Sequence, residues 1–218
     1  MERFLEAPQV IFRVGEIPIT ETILGGWIIM LFIILGGFVL TRRLQERPRG
    51  SQAYVELIVN AFRSLVSDTM GTDKTGFFPF VGALILFILI SNISGVVGVR
   101  PPTSDVNITM GMAILTFLMV QFYRMKAKGL FGYFKSFAEP IFFLFPLNII
   151  SELAAPVSLG MRLFGNILGG TVIVALIYEV IPVVIPLPFH LYFDLFVGAV
   201  QTFIFAMLTM VFVKMAME

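Results

Sequence analysis

The stretch SLGMRLFGNILGG, residues 158–170, sets a single guanidinium, Arg162, inside a long apolar run. An arginine at the centre of a bilayer costs about 2.5–3.5 kcal/mol on insertion scales, so it needs a counter-charge or a wet path. Glu152 lies about 15 Å away along a helix, too far to pair with it directly within that helix. Two partners stay open: a carboxylate elsewhere in the chain, which would make Arg162 structural, or a charge that the protein moves.

Other polar residues recur around it. Asn148, Ser151, Glu152, Ala155, Leu159, Arg162, Asn166 and Gly169 follow one another at three- and four-residue steps. Those steps predict a polar, small-residue stripe on one helix face. Gly160, Gly165, Gly169 and Gly170 thin the same helix and would let another backbone come close. In the last apolar segment His190, Asp194, Gly198 and Gln201 also share a face, with Gln201 near the depth of Arg162. Asn92 and Ser94 interrupt an earlier apolar run, and Tyr178 and Glu179 precede the hairpin IPVVIPLPF. The pattern places acids, amides and hydroxyls on an outer half, and Asn148, Ser151 and Glu152 on an inner half. Two polar clefts separated by a fixed positive charge cannot form a simple pore, because the barrier repels a cation midway. They conduct only if something else carries the ion across the gap.

The elements that must hold these groups are membrane helices. Of 218 residues, 58% are hydrophobic and 13% charged, about half the charged share of an ordinary globular domain. Mean hydropathy is +0.95. The fold class is therefore an all-α integral membrane protein, a single membrane domain over 1–218. A net charge of +1 gives no nucleic-acid signal. Zero cysteines exclude disulfides and thiolate-held metals, and one histidine excludes paired-histidine haem ligation within the chain. No cofactor or metal site is expected. The N-terminal residues carry Glu2, Glu6 and Glu16 and lack the pattern of a signal peptide.

Five apolar runs, 23–40, 77–99, 107–123, about 137–181 and 189–213, are long enough to be spans. Residues 1–22 read as an outer N-terminal segment. Residues 51–70 read as an amphipathic helix on the inner surface, with a helix packed on other protein as the alternative. Basic clusters at Arg42, Arg43, Arg47 and Arg49, at Arg124, Lys126 and Lys128, and at Lys214 all fall inside if the N-terminus is outside. Arg100 is the dissenting charge. The fourth run is roughly 65 Å long if helical, against a hydrocarbon core of about 30 Å. A strongly tilted or broken helix is expected there, bent at Pro146, Pro156 or Pro182, so that 137–213 forms a tilted helical hairpin packed on a partner's surface.

PLNIISELAAPVSLGMRLFGNILGG followed by FDLFVGAVQTFIFAMLTMVFV resembles the subunit a family of the rotary F-type ATP synthase. So do SDVNIT at 104–109 and YRMKAKG after it. The resemblance implies a non-catalytic stator channel of the Fo motor in a bacterial plasma (inner) membrane, N-terminus outside and C-terminus cytoplasmic. Its implied partners are a ring of c subunits, each with a membrane-embedded carboxylate, a b-subunit peripheral stalk, the other synthase subunits and the lipid bilayer, with no nucleic acid. Two offset half-channels would pass protons, or sodium instead, to and from the ring. Arg162 matches the family's essential arginine, Asn166 the asparagine one turn on, Gln201 the glutamine beside the arginine, and Asn92 the polar residue of the outer inlet. Asn148, Ser151 and Glu152 fall where the inner cleft is lined. Where many members carry an acid this chain has Thr171, and where some carry a histidine it has Asp194. One carboxylate has thus moved between helices, and Asp194 would take over the relay; His190, Thr171 and Glu179 are further candidates for the ion path. A self-contained secondary transporter with Arg162 as substrate counter-charge is the rival from another class, although no internal repeat supports it.

Overall fold

A computed structural model of the chain describes residues 8–42, 50–138, 142–180 and 186–217. Glu2, Glu6, Arg43, Arg47, Arg49 and Pro182 lie outside these described residues.

Helices dominate, with one addition to the all-α expectation. The N-terminal segment holds an antiparallel hairpin, β1 (Val10–Val14) and β2 (Ile17–Thr20). Its residues are rich in β-branched and aromatic types, which favour a pleated surface, and Gly15 takes the positive φ of 65° at the turn. Thr20 then caps α1 (Glu21–Thr41) by accepting a hydrogen bond from the Ile23 amide. The amphipathic helix is α2 (Ser51–Met70). Its second half buries Val66 and Met70 against Val81, Ile85 and Val213, while Tyr54 and Leu57 near its start stay exposed. The second half of that helix is thus packed on the rest of the chain, and its first half leaves an apolar face uncovered.

Next come α3 (Phe78–Ile93) and α4 (Val106–Ala138), the latter broken at Gly129 by φ 69° and ψ 169°. The basic stretch after the third span is thus helical on both sides of a sharp bend rather than a loop. The fourth run forms α5 (Phe145–Val180) as one continuous helix of 36 residues, with Pro156 inside it. At about 54 Å, α5 cannot stand upright wholly within a hydrocarbon core of about 30 Å. A short α6 (Pro186–His190) leads through a π-helical segment, Leu191–Val197, into α7 (Gly198–Met217).

Among the described residues five helices are long and apolar enough to cross a membrane: Glu21–Thr41, Phe78–Val97, Val106–Tyr133, Phe145–Glu179 and Pro188–Met217. The chain is an all-α, multi-pass membrane protein. Its core lies where α3, α4, α5 and α7 meet: Leu84, Ile88, Ala113, Leu159, Leu163, Ile167 and Phe205 form one buried cluster. Helix α1 stands at the edge with Trp27, Leu31, Phe32 and Phe38 exposed, as a lipid-facing surface would have them.

Candidate functional site

Burial sets the rotation of α5, and the rotation sets the direction of its charges. Leu159, Leu163 and Ile167 recur at four-residue steps and are buried against α3, α4 and α7. Gly160 permits that approach: a Cβ there would sit 2.7 Å from Met110 Sδ and 3.2 Å from the Thr109 carbonyl oxygen. Arg162 lies about 100° round the helix from Leu163 and is therefore turned outward. It is exposed, and among the described residues it has no hydrogen-bond or ion-pair partner. Asn166, one turn later, is also exposed. Its amide donates to Gln201 Oε1 at 2.7 Å and ties α5 to α7 beside the arginine. Gly165 and Gly169 border this surface with open space where a side chain would be.

The predicted single stripe does not stay on one face. Leu159 is buried, Arg162 faces out, and Glu152 is turned toward α4. Ten residues at about 100° each leave Glu152 and Arg162 roughly 80° apart on the helix wheel. Three- and four-residue steps drift, and over six turns the drift separates the residues.

Two cavities flank Arg162 along α5, and Arg162 lines neither. The first, about 450 Å³, is walled by Asn148, Ser151, Glu152, Ala155 and Pro156 of α5, by Thr116, Arg124 and Lys128 of α4, and by Phe212 and Met215 of α7. Glu152 forms an ion pair with Arg124 and accepts a hydrogen bond from Gln121 at 2.7 Å. Tyr133, beyond the Gly129 bend, donates to Gln121 Oε1 at 2.9 Å. The Asn148 amide donates to the Phe137 carbonyl, and the Phe137 ring lies 6.0 Å from the Arg124 guanidinium carbon. Ser151 is exposed at the cavity's edge.

The second cavity, about 300 Å³, is walled by Gly95, Pro101, Thr171, Tyr178, His190 and Asp194. His190 Nδ1 and Asp194 Oδ2 are 2.7 Å apart. The π-helical segment places Asp194 against Gly95, where a Cβ would come within 3.0 Å of its carboxylate. Thr171 lines this cavity, but its hydroxyl donates to the Ile167 carbonyl of its own helix. Glu179, the outer-side candidate, is exposed and lines neither cavity.

Asn92 sits deeper than the cavity-lining candidates. It is 1% exposed and lines neither cavity. Its amide donates to the Gly198 carbonyl at 2.9 Å and to Thr202 Oγ1 at 3.3 Å, while its oxygen accepts from Thr103 Oγ1 at 2.6 Å. Asn92 is a buried connector holding α3, the turn at Pro102–Ser104 and the start of α7 together. The dissenting Arg100 has an explanation in the fold: it pairs with Glu21 at 3.2 Å. Nearby Thr22 donates to the buried Asp105 at 2.6 Å. The sequence reading missed the Arg124–Glu152, Arg100–Glu21 and Thr22–Asp105 pairs. Their sole sequence signal is a charged or polar residue at the edge of an apolar run, with nothing to name its partner.

Residues 23–214 match the family model described as ATP synthase A chain. The chain is 39% identical to ATP synthase subunit a of Moorella thermoacetica over 94% of each chain. It is 38% identical to a protein of Propionigenium modestum named ATP synthase subunit a, sodium ion specific, over 98% of this chain and 80% of that one. ATP synthase subunit a 2 of a Bradyrhizobium species is 37% identical over 95% and 93%.

Proposed function

This chain belongs to the ATP synthase A chain family, and from that premise we propose how its residues pass an ion. The chain is the ion-channel stator subunit of the Fo motor, a non-catalytic part of a complex that includes the other ATP synthase subunits. Our reading of the mechanism rests on one observation above the rest: Arg162 faces outward from α5 with no partner among the described residues, and a cavity holding a carboxylate, Glu152 or Asp194, lies on either side of it along the helix.

The whole chain acts as one membrane domain, and its α5–α7 face receives a ring of c subunits, each bearing a carboxylate. Arg162 is the counter-charge for that carboxylate in its ionised state, and open space at Gly165 and Gly169 supports close approach beside it. The cavity with Asp194, His190 and Thr171 opens to the outside, and the cavity with Glu152, Ser151 and Asn148 opens to the cytoplasm. An ion enters through the outer cavity, is handed on from Asp194 and neutralises a ring carboxylate. The neutral site can then enter lipid, where a bare charge would be very costly. After rotation a loaded site reaches the Glu152 cavity and releases its ion. Arg162 holds the emptied carboxylate, and its fixed charge bars a direct leak between the cavities. Gln201 and Asn166 keep the α5–α7 seam in place beside it. A potential supplies about 2.3 kcal/mol per charge per 100 mV, which is the driving force for rotation.

The site is a bacterial plasma membrane, with the N-terminus outside and the C-terminus inside, following the basic clusters. The b-subunit peripheral stalk holds the chain against the turning ring. The ion is a proton. Sodium is the second reading, favoured by the sodium-specific name of one relative and by the hydroxyl and carboxylate oxygens that share the Asp194 cavity.

The test is ATP-driven ion uptake into inverted membrane vesicles, wild type against Arg162→Ala, with and without sodium. The variant is expected to lose uptake while ATP hydrolysis continues. Coupled uptake that survives in Arg162→Ala would make the arginine structural and end this reading.

A further inference from the structure

The function proposed above uses Glu152 but leaves Arg124 without a task. Arg124 stands on α4, its side chain 22% exposed, and it grips the carboxylate of Glu152, itself 16% exposed, across the cavity between α4 and α5. The grip is framed on all sides. Gln121 holds the other carboxylate oxygen, Tyr133 holds Gln121, and the Phe137 ring lies beneath the guanidinium. Tyr133 and Phe137 arrive from beyond the Gly129 bend, so a backbone conformation suited to glycine builds half of this frame. Lys128 is the other charged group lining the cavity among the described residues, while α7 contributes the apolar Phe212 and Met215.

A carboxylate in such a partly closed, largely apolar cavity binds a cation tightly when nothing competes for it, since charges attract strongly at low dielectric. Tight binding would defeat a path that must release each ion. We propose that Arg124 is a positioning residue of this path, one that competes with the passing ion for Glu152 and so makes the carboxylate a brief stop rather than a trap. The inference rests on the reading of the Glu152 cavity as the cytoplasmic path. In each transfer the incoming proton or sodium ion takes the Glu152 oxygen that Arg124 leaves. When the ion departs to water or to the ring, the guanidinium returns, and charge is conserved at both steps. Gln121 keeps the carboxylate turned toward the cavity throughout.

The experiment measures ATP-driven uptake in inverted vesicles, where this cavity faces the medium, against ion concentration: pH for protons, added sodium for sodium. Arg124→Gln is expected to lower the half-saturating concentration on the order of tenfold, the worth of one charge-assisted hydrogen bond, and to lower the maximal rate with it. Arg124→Lys, which keeps the charge but loses the planar fork, is expected to shift it by a smaller step, about threefold. In a Glu152→Gln background the Arg124 change is expected to leave half-saturation where Glu152→Gln alone puts it. A merely structural arginine would lower the rate or the amount of assembled complex without moving half-saturation. Should Arg124→Gln fail to assemble, Arg124→Lys carries the test. Wild-type half-saturation in every variant that assembles overturns the proposal. Arg162→Ala in the same assay separates the two ideas: lost uptake there with unmoved half-saturation in the Arg124 variants removes only this one.

Discussion

Arg162 and Glu152 sit on one helix, and the fold gives them opposite surroundings. Glu152 has Arg124 and Gln121 as partners, and Arg162 is left facing outward. An outward arginine in the middle of a membrane helix is stable only against a counter-charge that arrives from elsewhere, which is why it reads as a contact for a moving partner. Asp194 is paired with His190 and lines a cavity, the position that the proposed proton path requires of its outer relay. Asp194→Asn is expected to cut coupled uptake roughly 10²-fold with little loss of assembled complex, because a carboxamide cannot exchange that proton. Asn92 is a different case. Its three hydrogen bonds are buried, and Asn92→Ala should cost about 1–3 kcal/mol by stranding their partners. Heat unfolding in detergent would read that as a lower midpoint. A full loss of uptake at unchanged midpoint would instead return Asn92 to the ion path.

At the scale of the element, two glycines carry distinct predictions. Gly129 has φ 69° and ψ 169°, a region that side chains other than hydrogen avoid at about 1–3 kcal/mol. Gly129→Ala should loosen the segment carrying Tyr133 and Phe137, and added protease should cut more readily near residue 130. Unchanged cleavage would mean the bend tolerates a Cβ. Gly160 is tight for a different reason, the approach of α4 to within van der Waals limits. Gly160→Val is expected to part α4 from α5 and reduce the amount of the chain in membranes several-fold, by overpacking worth about 1–3 kcal/mol or more. Normal levels on an immunoblot of the membranes would count against that packing.

For the whole molecule the prediction concerns orientation. The chain has no cysteine, so each introduced one is a clean reporter. A cysteine at Val97, 77% exposed near the Asp194 cavity, is expected to react with an impermeant maleimide from outside intact cells. One at Phe131, 88% exposed beyond the Gly129 bend, is expected to react only in inverted vesicles. The opposite pattern would reverse the two cavities and the direction of the proposed path.

The sequence by itself determined the membrane class, the five long apolar helices and the family, because hydropathy and a motif such as RLFGN depend only on neighbours along the chain. It also singled out Arg162, Asn166, Gln201 and Asp194, since a polar group within an apolar run is conspicuous without coordinates. Partnership was decided only in three dimensions. Arg124 with Glu152 and Arg100 with Glu21 join residues far apart in sequence, and no local pattern fixes which charge meets which. The stripe on α5 parted for a related reason: a small angular drift per turn is invisible in spacing, and the packing of Leu159, Leu163 and Ile167 chose the rotation. Asn92 stood out in sequence by its polarity in an apolar run and by its match to the family's outer-inlet residue. Only tertiary structure shows it as a connector, because three hydrogen bonds tie it to the 102–104 turn and to the start of α7.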